Sequence, residues 1–329
     1  MARADDNGTG FWLRATAISV AIVAVIGSAY LFGAYSYARN IFPISALRSL
    51  KARGNEQPYV SLGTYDSFGR LTHFPGKTEV DCPAQDARTA VLLAIGQSNS
   101  ANHASARMTA RHSERVFNYY DGKCYVASSP LLGATGEQGE FVTPLADALV
   151  TNNTFRTVIV VVSGIVSSAI SRWQEDGDLN EMLLATLAQL KAQYEVTHII
   201  WHQGESDFGN RTSAKVYAHS FRSLLSTLET LEIRAPAFIA IATKCGRRAG
   251  WTPDNPTAVG QRSLIDNKRI FMGADTDTLL AHNGRQSDDC HLSEEGQYKT
   301  ASAFAQSIAH FQKHNTTEAT ASARSGPGT

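Results

Sequence analysis

The stretch TAVLLAIGQSN, residues 89–99, sets an uninterrupted apolar run directly against a small polar cluster. Thr89 to Ile95 are apolar or β-branched with no polar alternation, the pattern of a strand buried on both faces of a parallel sheet. Similar runs recur at TVIVVVS (157–163), THIIWH (197–202) and APAFIAIAT (235–243), with a weaker one at KRIFMG (268–273). Between them lie helix-like segments at 143–152, 179–195 and 213–232. In the second, Leu183, Leu187 and Leu190 mark one face and Lys191 and Glu195 fall outside it. Alternating strands and helices predict an α/β fold, a three-layer doubly wound sandwich around a central, mainly parallel five-stranded sheet. Ligands of such sheets bind at the carboxyl ends of the strands. Reactive side chains are therefore expected just after the apolar runs.

Three segments meet that expectation. Ser98 follows the first strand, HQGESD (202–207) follows the third, and SDDCHLSEEG (287–296) leads into a last helix whose first turn carries Glu294 and Glu295. Each has a bland reading alone: Ser98 as a turn or capping residue, HQGE as a polar turn, His291 as a hydrogen-bonded surface histidine. Together they supply more. Asp288 and His291 stand three apart in a loop, so the carboxylate can fold back onto Nδ1, fix the tautomer and leave Nε2 facing a nucleophile. His198 and His202 are four apart, but on a strand, and no HExxH pattern exists, so no metal site is expected.

The rest of the chain bounds where this chemistry takes place. The 329 residues hold 30 basic and 30 acidic side chains, and a pI near 7.2 gives no long-range field for nucleic acid. Residues 1–14 precede an uncharged segment, 15–38, long enough to span a bilayer as an anchor and longer than the ~7–15-residue apolar region of a signal sequence. Arg39, Arg48, Lys51 and Arg53 follow it, which by the positive-inside rule would keep the main domain in the cytoplasm. Four cysteines point the other way. Of three possible connectivities, Cys82 with Cys124 and Cys245 with Cys290 would each tie down a loop near a strand end, in an oxidising compartment. Residues 39–84 read as a linker and irregular lead-in, 85–313 as the folded domain, and 314–329 as a disordered tail.

GQSN after the first strand, WHQGESD after a later one and DxxH before a C-terminal helix resemble the SGNH hydrolases, in particular their carbohydrate esterase branch of sialate O-acetylesterases and acetylxylan esterases. The likeness covers roughly residues 85–312, and there is no GxSxG elbow of the ordinary α/β-hydrolases. It implies a flavodoxin-like SGNH fold and a serine esterase that removes O-acetyl groups from a carbohydrate through an acetyl-enzyme, without a cofactor. Ser98 would be the nucleophile, His291 the general base and Asp288 its acid. The Ser98 N–H, a glycine N–H (Gly139, with Gly136 the alternative) and the Gln203 amide would form the oxyanion hole. Asn99 and Glu205 would support the loops, and Arg172 and Trp173 would offer a sugar platform. The expected partners are an acetylated carbohydrate and, through the N-terminal helix, a membrane, with the catalytic domain periplasmic or extracellular, or secreted after cleavage. Two other classes use the same fold: a polysaccharide O-acetyltransferase with a sugar hydroxyl replacing water, and a catalytically silent carbohydrate-binding or assembly protein.

Overall fold

In the computed structural model the described residues are 7–39, 61–246 and 250–324, and the chain divides into two units, residues 1–60 and 61–329. In the first, Asn7–Arg39 form helix α1. Within it Thr16–Tyr35 is a 20-residue apolar stretch of mean hydropathy 2.1, with side chains such as Val23 and Leu31 exposed. That is the length and composition of a bilayer span.

The second unit is built around β4 (Thr89–Gly96), whose eight residues are all buried. β4 pairs in parallel with β7 (Thr157–Val162) on one side and β8 (His198–His202) on the other. β9 (Ala237–Ile241) and β10 (Ile270–Asp275) extend the sheet beyond β8, and β5 (Val116–Tyr120) extends it beyond β7, all parallel. Successive β4 side chains feed opposite layers. Ala90, Leu92 and Ala94 join Leu145 and Leu149 of α2 (Val142–Thr151) and Phe304 and Ile308 of α6 (Glu294–Arg324). Val91, Leu93 and Ile95 join Leu183 and Leu187 of α3 (Asp178–Leu190) and Phe221 and Leu225 of α5 (Ala214–Thr230). The three-layer doubly wound reading holds. Along the sheet the chain steps from β4 out to β5, returns through β7 and crosses to β8, so the direction of winding reverses at β4.

The sheet has eight strands rather than five. β5 turns through Asp121 and Gly122 into β6 (Lys123–Val126), which runs antiparallel and pairs with the edge strand β3 (Glu79–Val80). Both turn residues have positive φ, 49° and 79°, the conformation that makes Asp-Gly a hairpin signal. Asn118 breaks the apolar run of β5; it is buried and its amide bonds the backbone of Leu132. The domain also begins earlier than residue 85. β1 (Thr64–Tyr65) and β2 (Leu71–His73) form a hairpin, and buried Leu71 exchanges backbone hydrogen bonds with Gly133 and Ala134. The rest of the expected linker, residues 40–60, lies outside the described residues. At the other end α6 runs to Arg324, eleven residues into the segment expected to be a disordered tail, because the alanines, Glu318 and Arg324 of EATASAR favour a helix although the stretch lacks bulky apolar groups. Cys82 is bonded to Cys124, and Cys245 to Cys290.

Candidate active site

Ser98 stands where β4 ends, at the point where the winding reverses. Gly96 makes the turn possible: its φ is +135°, and a Cβ there would lie 2.2 Å from the carbonyl oxygen of His202. Ser98 opens a short 3-10 turn, Ser98–Ser100, and is 3% exposed. The preceding side chain fastens this turn to the end of β8, since Gln97 Oε1 accepts from the N–H of Ser206 at 3.1 Å and of Gly204 at 3.4 Å.

Asp288 and His291 form the second part. Asp288 Oδ2 lies 2.6 Å from His291 Nδ1, and Oδ1 accepts from the N–H of Cys290 (2.9 Å) and of His291 (3.0 Å). Partial burial opposes ionisation of Asp288, but these backbone N–H groups and the imidazole outweigh it and hold the carboxyl below its usual range. With Nδ1–H given to the carboxylate, Nε2 is left as the acceptor.

One side chain joins the two parts. Asn99, next to Ser98 and fully buried, accepts from the N–H of Leu292 (3.1 Å) and donates to the carbonyl of Cys290 (3.2 Å), so it grips the backbone on both sides of His291. Its Nδ2 also donates to Glu205 Oε1 at 2.8 Å. Glu205 opens α4 (Glu205–Gly209), and burial pushes its carboxyl up to about 7. Behind it His202 is pushed down to about 3, first by burial and then by the nearby Arg285 guanidinium. Arg285 itself donates to the Cys290 carbonyl at 2.8 Å, a second hold on the same loop. Asn99 and Glu205 are thus bonded to each other, and Asn99 to the loop that carries His291.

Four expected contributors stand elsewhere. The Gln203 amide is fully buried and turned inward: Nε2 donates to Asp207 Oδ2 (2.5 Å) and the Ser168 carbonyl (3.0 Å), while Oε1 accepts from the Tyr217 hydroxyl (2.9 Å). Both Nε2 protons are used, leaving none for an oxyanion. The Gly139 N–H is spent on the Ala104 carbonyl at 2.9 Å. Gly136, the alternative, allows a close pass over Asn102 and His103, where a Cβ would meet Asn102 O at 2.3 Å. Trp173 is fully buried, with Nε1 bonded to Ser168 Oγ, so it packs the core instead of facing a sugar. Arg172 is held by both carboxylate oxygens of Asp178.

Sequence reasoning missed Ser167 and His103. The segment after β7 continues alongside β4, with Ile165 N–H bonded to the Gly96 carbonyl, and carries Ser167 past the end of that strand. Ser167 has φ +56° and lines an open cleft of about 380 Å³ with Ser206, Gly209 and Asn210. None of the hydrogen bonds among the described residues uses the N–H of Ser98 or of Ser167. Backbone donors carry no residue-type signal, and a non-glycine at positive φ hides the turn. The ring of His103 stacks on His291 with centroids 5.7 Å apart; burial, then the neighbouring His291, lowers its pKa to about 4.

A reversal of winding at a serine-bearing strand end, with an Asp-x-x-His loop brought against it, defines a hydrolase of the SGNH class. Residues 88–310 match the family described as carbohydrate esterase, sialic acid-specific acetylesterase, and the chain belongs to that family. It is accordingly a carbohydrate O-acetylesterase, a carboxylic ester hydrolase. Among solved structures, a protein from Arabidopsis thaliana superimposes with a TM-score of 0.52 at 17% identity, covering 68% of this chain and 98% of its own. NanS gives 0.49 at 15% identity, covering 71% of this chain and 100% of its own. A carbohydrate acetylesterase from Xanthomonas citri gives 0.47 at 16% identity, covering 68% and 56%. No curated protein matches the chain. The apolar N-terminal helix and the two disulfides point to exposure outside the cytoplasm, extracellular or periplasmic.

Proposed function

We propose that Ser98, His291 and Asp288 are the catalytic triad of this esterase and that it deacetylates a carbohydrate by way of acetyl-Ser98. The reading is carried by the Asn99 clasp, which ties the serine's turn to both neighbours of the imidazole. His291 Nε2 takes the Ser98 hydroxyl proton as Oγ attacks the acetyl carbonyl carbon. The N–H groups of Ser98 and Ser167 stabilise the oxyanion, in place of Gln203 and Gly139. The tetrahedral intermediate collapses, the imidazolium passes its proton to the departing sugar oxygen, and the acetyl group stays on Oγ. Water, deprotonated by His291, then attacks the acetyl carbonyl; the bond to Oγ breaks, the imidazolium returns its proton to the Ser98 oxygen, and acetate leaves. Asp288 holds the imidazole in one tautomer and offsets its charge in both steps. The helix α1 serves as a membrane anchor, with the catalytic domain on the oxidising side.

Acetate release from an aryl acetate and from an acetylated oligosaccharide, with no added sugar acceptor, tests this. Ser98→Ala is expected to lower kcat/KM by about three orders of magnitude or more on both substrates. A variant as active as the parent would remove Ser98 from the mechanism. Release of the aryl alcohol only when an acceptor sugar is added, with the acetyl group recovered on that sugar and not as acetate, would make the protein a transferase.

A further inference from the structure

Residues 61–74 precede the part of the chain that matches the family, yet they are built into the rim of the site. Glu137, 3% exposed, fastens them: its Oε1 accepts from Ser61 Oγ (2.6 Å), from the Gly63 N–H (2.9 Å) and from the Tyr65 hydroxyl. Arg70 then bridges Thr135. Thr135 is a junction. Its Oγ1 accepts from the Val166 N–H at 2.9 Å and lies 3.2 Å from Nε2 of His103, the residue stacked on His291. Val166 immediately precedes Ser167.

On this strap and at its junction four large apolar side chains are open to solvent: Leu62 (57%), Tyr65 (40%), Phe68 (36%) and Val166 (39%). Their backbone is held firmly. Asp66 Oδ1 accepts from the N–H of both Phe68 and Arg70 at 2.9 Å, and Gly69 turns at φ +76°. The Tyr65 ring is fixed at its hydroxyl end by Glu137. Exposed aromatic rings on a pinned segment make contacts without a large ordering cost, and such patches beside a cleft mark binding surfaces. The flat, C–H-rich face of a pyranose suits them, because it offers apolar area with hydroxyls at its edge.

We infer that this strap forms an accessory sugar subsite, with Tyr65, Phe68 and Val166 as its apolar floor, for the residue neighbouring the acetylated one in an oligosaccharide. The inference rests on the esterase reading above and locates the longer substrate within it.

The test uses the full chain in detergent and compares an acetylated oligosaccharide with the acetylated monosaccharide of the same sugar. Phe68→Ala is expected to raise KM for the oligosaccharide about 5- to 10-fold relative to that for the monosaccharide, with kcat kept, and Phe68→Tyr to restore it. An unchanged ratio, or an equal loss on both substrates, overturns the subsite. Binding of the unacetylated oligosaccharide to a Ser98→Ala protein, with and without Phe68→Ala, reads the subsite without turnover. Weaker binding with Phe68→Ala supports it, and equal binding overturns it. If the parent hydrolyses no acetylated sugar, the esterase reading fails while this binding comparison still decides the subsite.

Discussion

Asn99→Ala is the substitution that separates the positioning of His291 from the chemistry of Ser98. Asn99 has no exposed surface and makes three hydrogen bonds. Cys290 O keeps a donor in Arg285 Nη1 at 2.8 Å, so its loss is small. The Leu292 N–H is different. It sits beside a fully buried side chain and is left without its acceptor, at about 1–3 kcal/mol. Glu205 loses the amide 2.8 Å from Oε1, a further penalty of about the same size. The sum, about 2–6 kcal/mol, is a large part of an ordinary domain's ~5–15 kcal/mol. The Cys245–Cys290 disulfide and Arg285 keep the loop near its place, so the variant folds. His291 nevertheless loses the clasp on either side of it, and a displacement near 1 Å costs about 10²-fold in turnover. Denaturant unfolding, paired with kcat on an aryl acetate, measures both effects. A variant that keeps kcat within about threefold and loses under ~1 kcal/mol would refute the argument that Asn99 sets the triad's geometry.

Two further predictions follow from the buried groups behind the site. His103 and His198, lowered to about 4, and His202, lowered to about 3, stay neutral in the fold but charge near pH 6.5 when it opens, so stability is lost as pH falls below that value. Glu205, raised to about 7, acts oppositely: it holds a proton in the fold that the open chain gives up above about 4.5, so its contribution is lost as pH rises toward 7. Three groups against one give a net fall of about 2 kcal/mol per pH unit from pH 6 to 5, and Glu205→Gln should steepen it; denaturation midpoints across that range check both, and a flat profile would contradict the burial of these imidazoles. Gln203→Ala should lower stability by about 2–4 kcal/mol, since it strips partners from Asp207 and Tyr217. A fall of 10²–10³ in kcat with stability intact would instead restore the amide to the oxyanion hole.

What the sequence made legible depended on how local the physics was. β4 is legible because both its neighbours and both its faces are apolar, which forces every position to be apolar too. Asp288 and His291 are legible because three residues of loop contain the whole interaction. β5 is obscured by Asn118, whose amide satisfies a loop fourteen residues away. Gln203 shows the limit most clearly. The residue type allowed an oxyanion donor, but Asp207, one helical turn along, takes the amide first. No pattern of residue types announces Ser167, because what it offers is a main-chain N–H in a left-handed turn. A tryptophan suits a sugar face and a core equally by residue type, and for Trp173 the apolar core around Trp201 has the stronger claim.

The geometry of the proposed triad is, in the end, set by the register of the sheet. Gly96 pairs with His202, and the Gln97 N–H bonds the His202 carbonyl at 3.1 Å. That pairing brings Gln97 Oε1 over the N–H groups of Gly204 and Ser206 and sets Glu205 against Asn99. Asn99 then reaches across to Cys290 and Leu292. A shift of β8 by one residue would turn every side chain of the strand to the other layer and carry Glu205 out of reach of Asn99. Burying Glu205, His202 and Arg285 together is a poor way to gain stability. It does fix one register, and through Asn99 that register reaches His291 on a distant loop, which is the physical reason a histidine 193 residues after Ser98 can be placed with the accuracy the proposed acyl transfer requires.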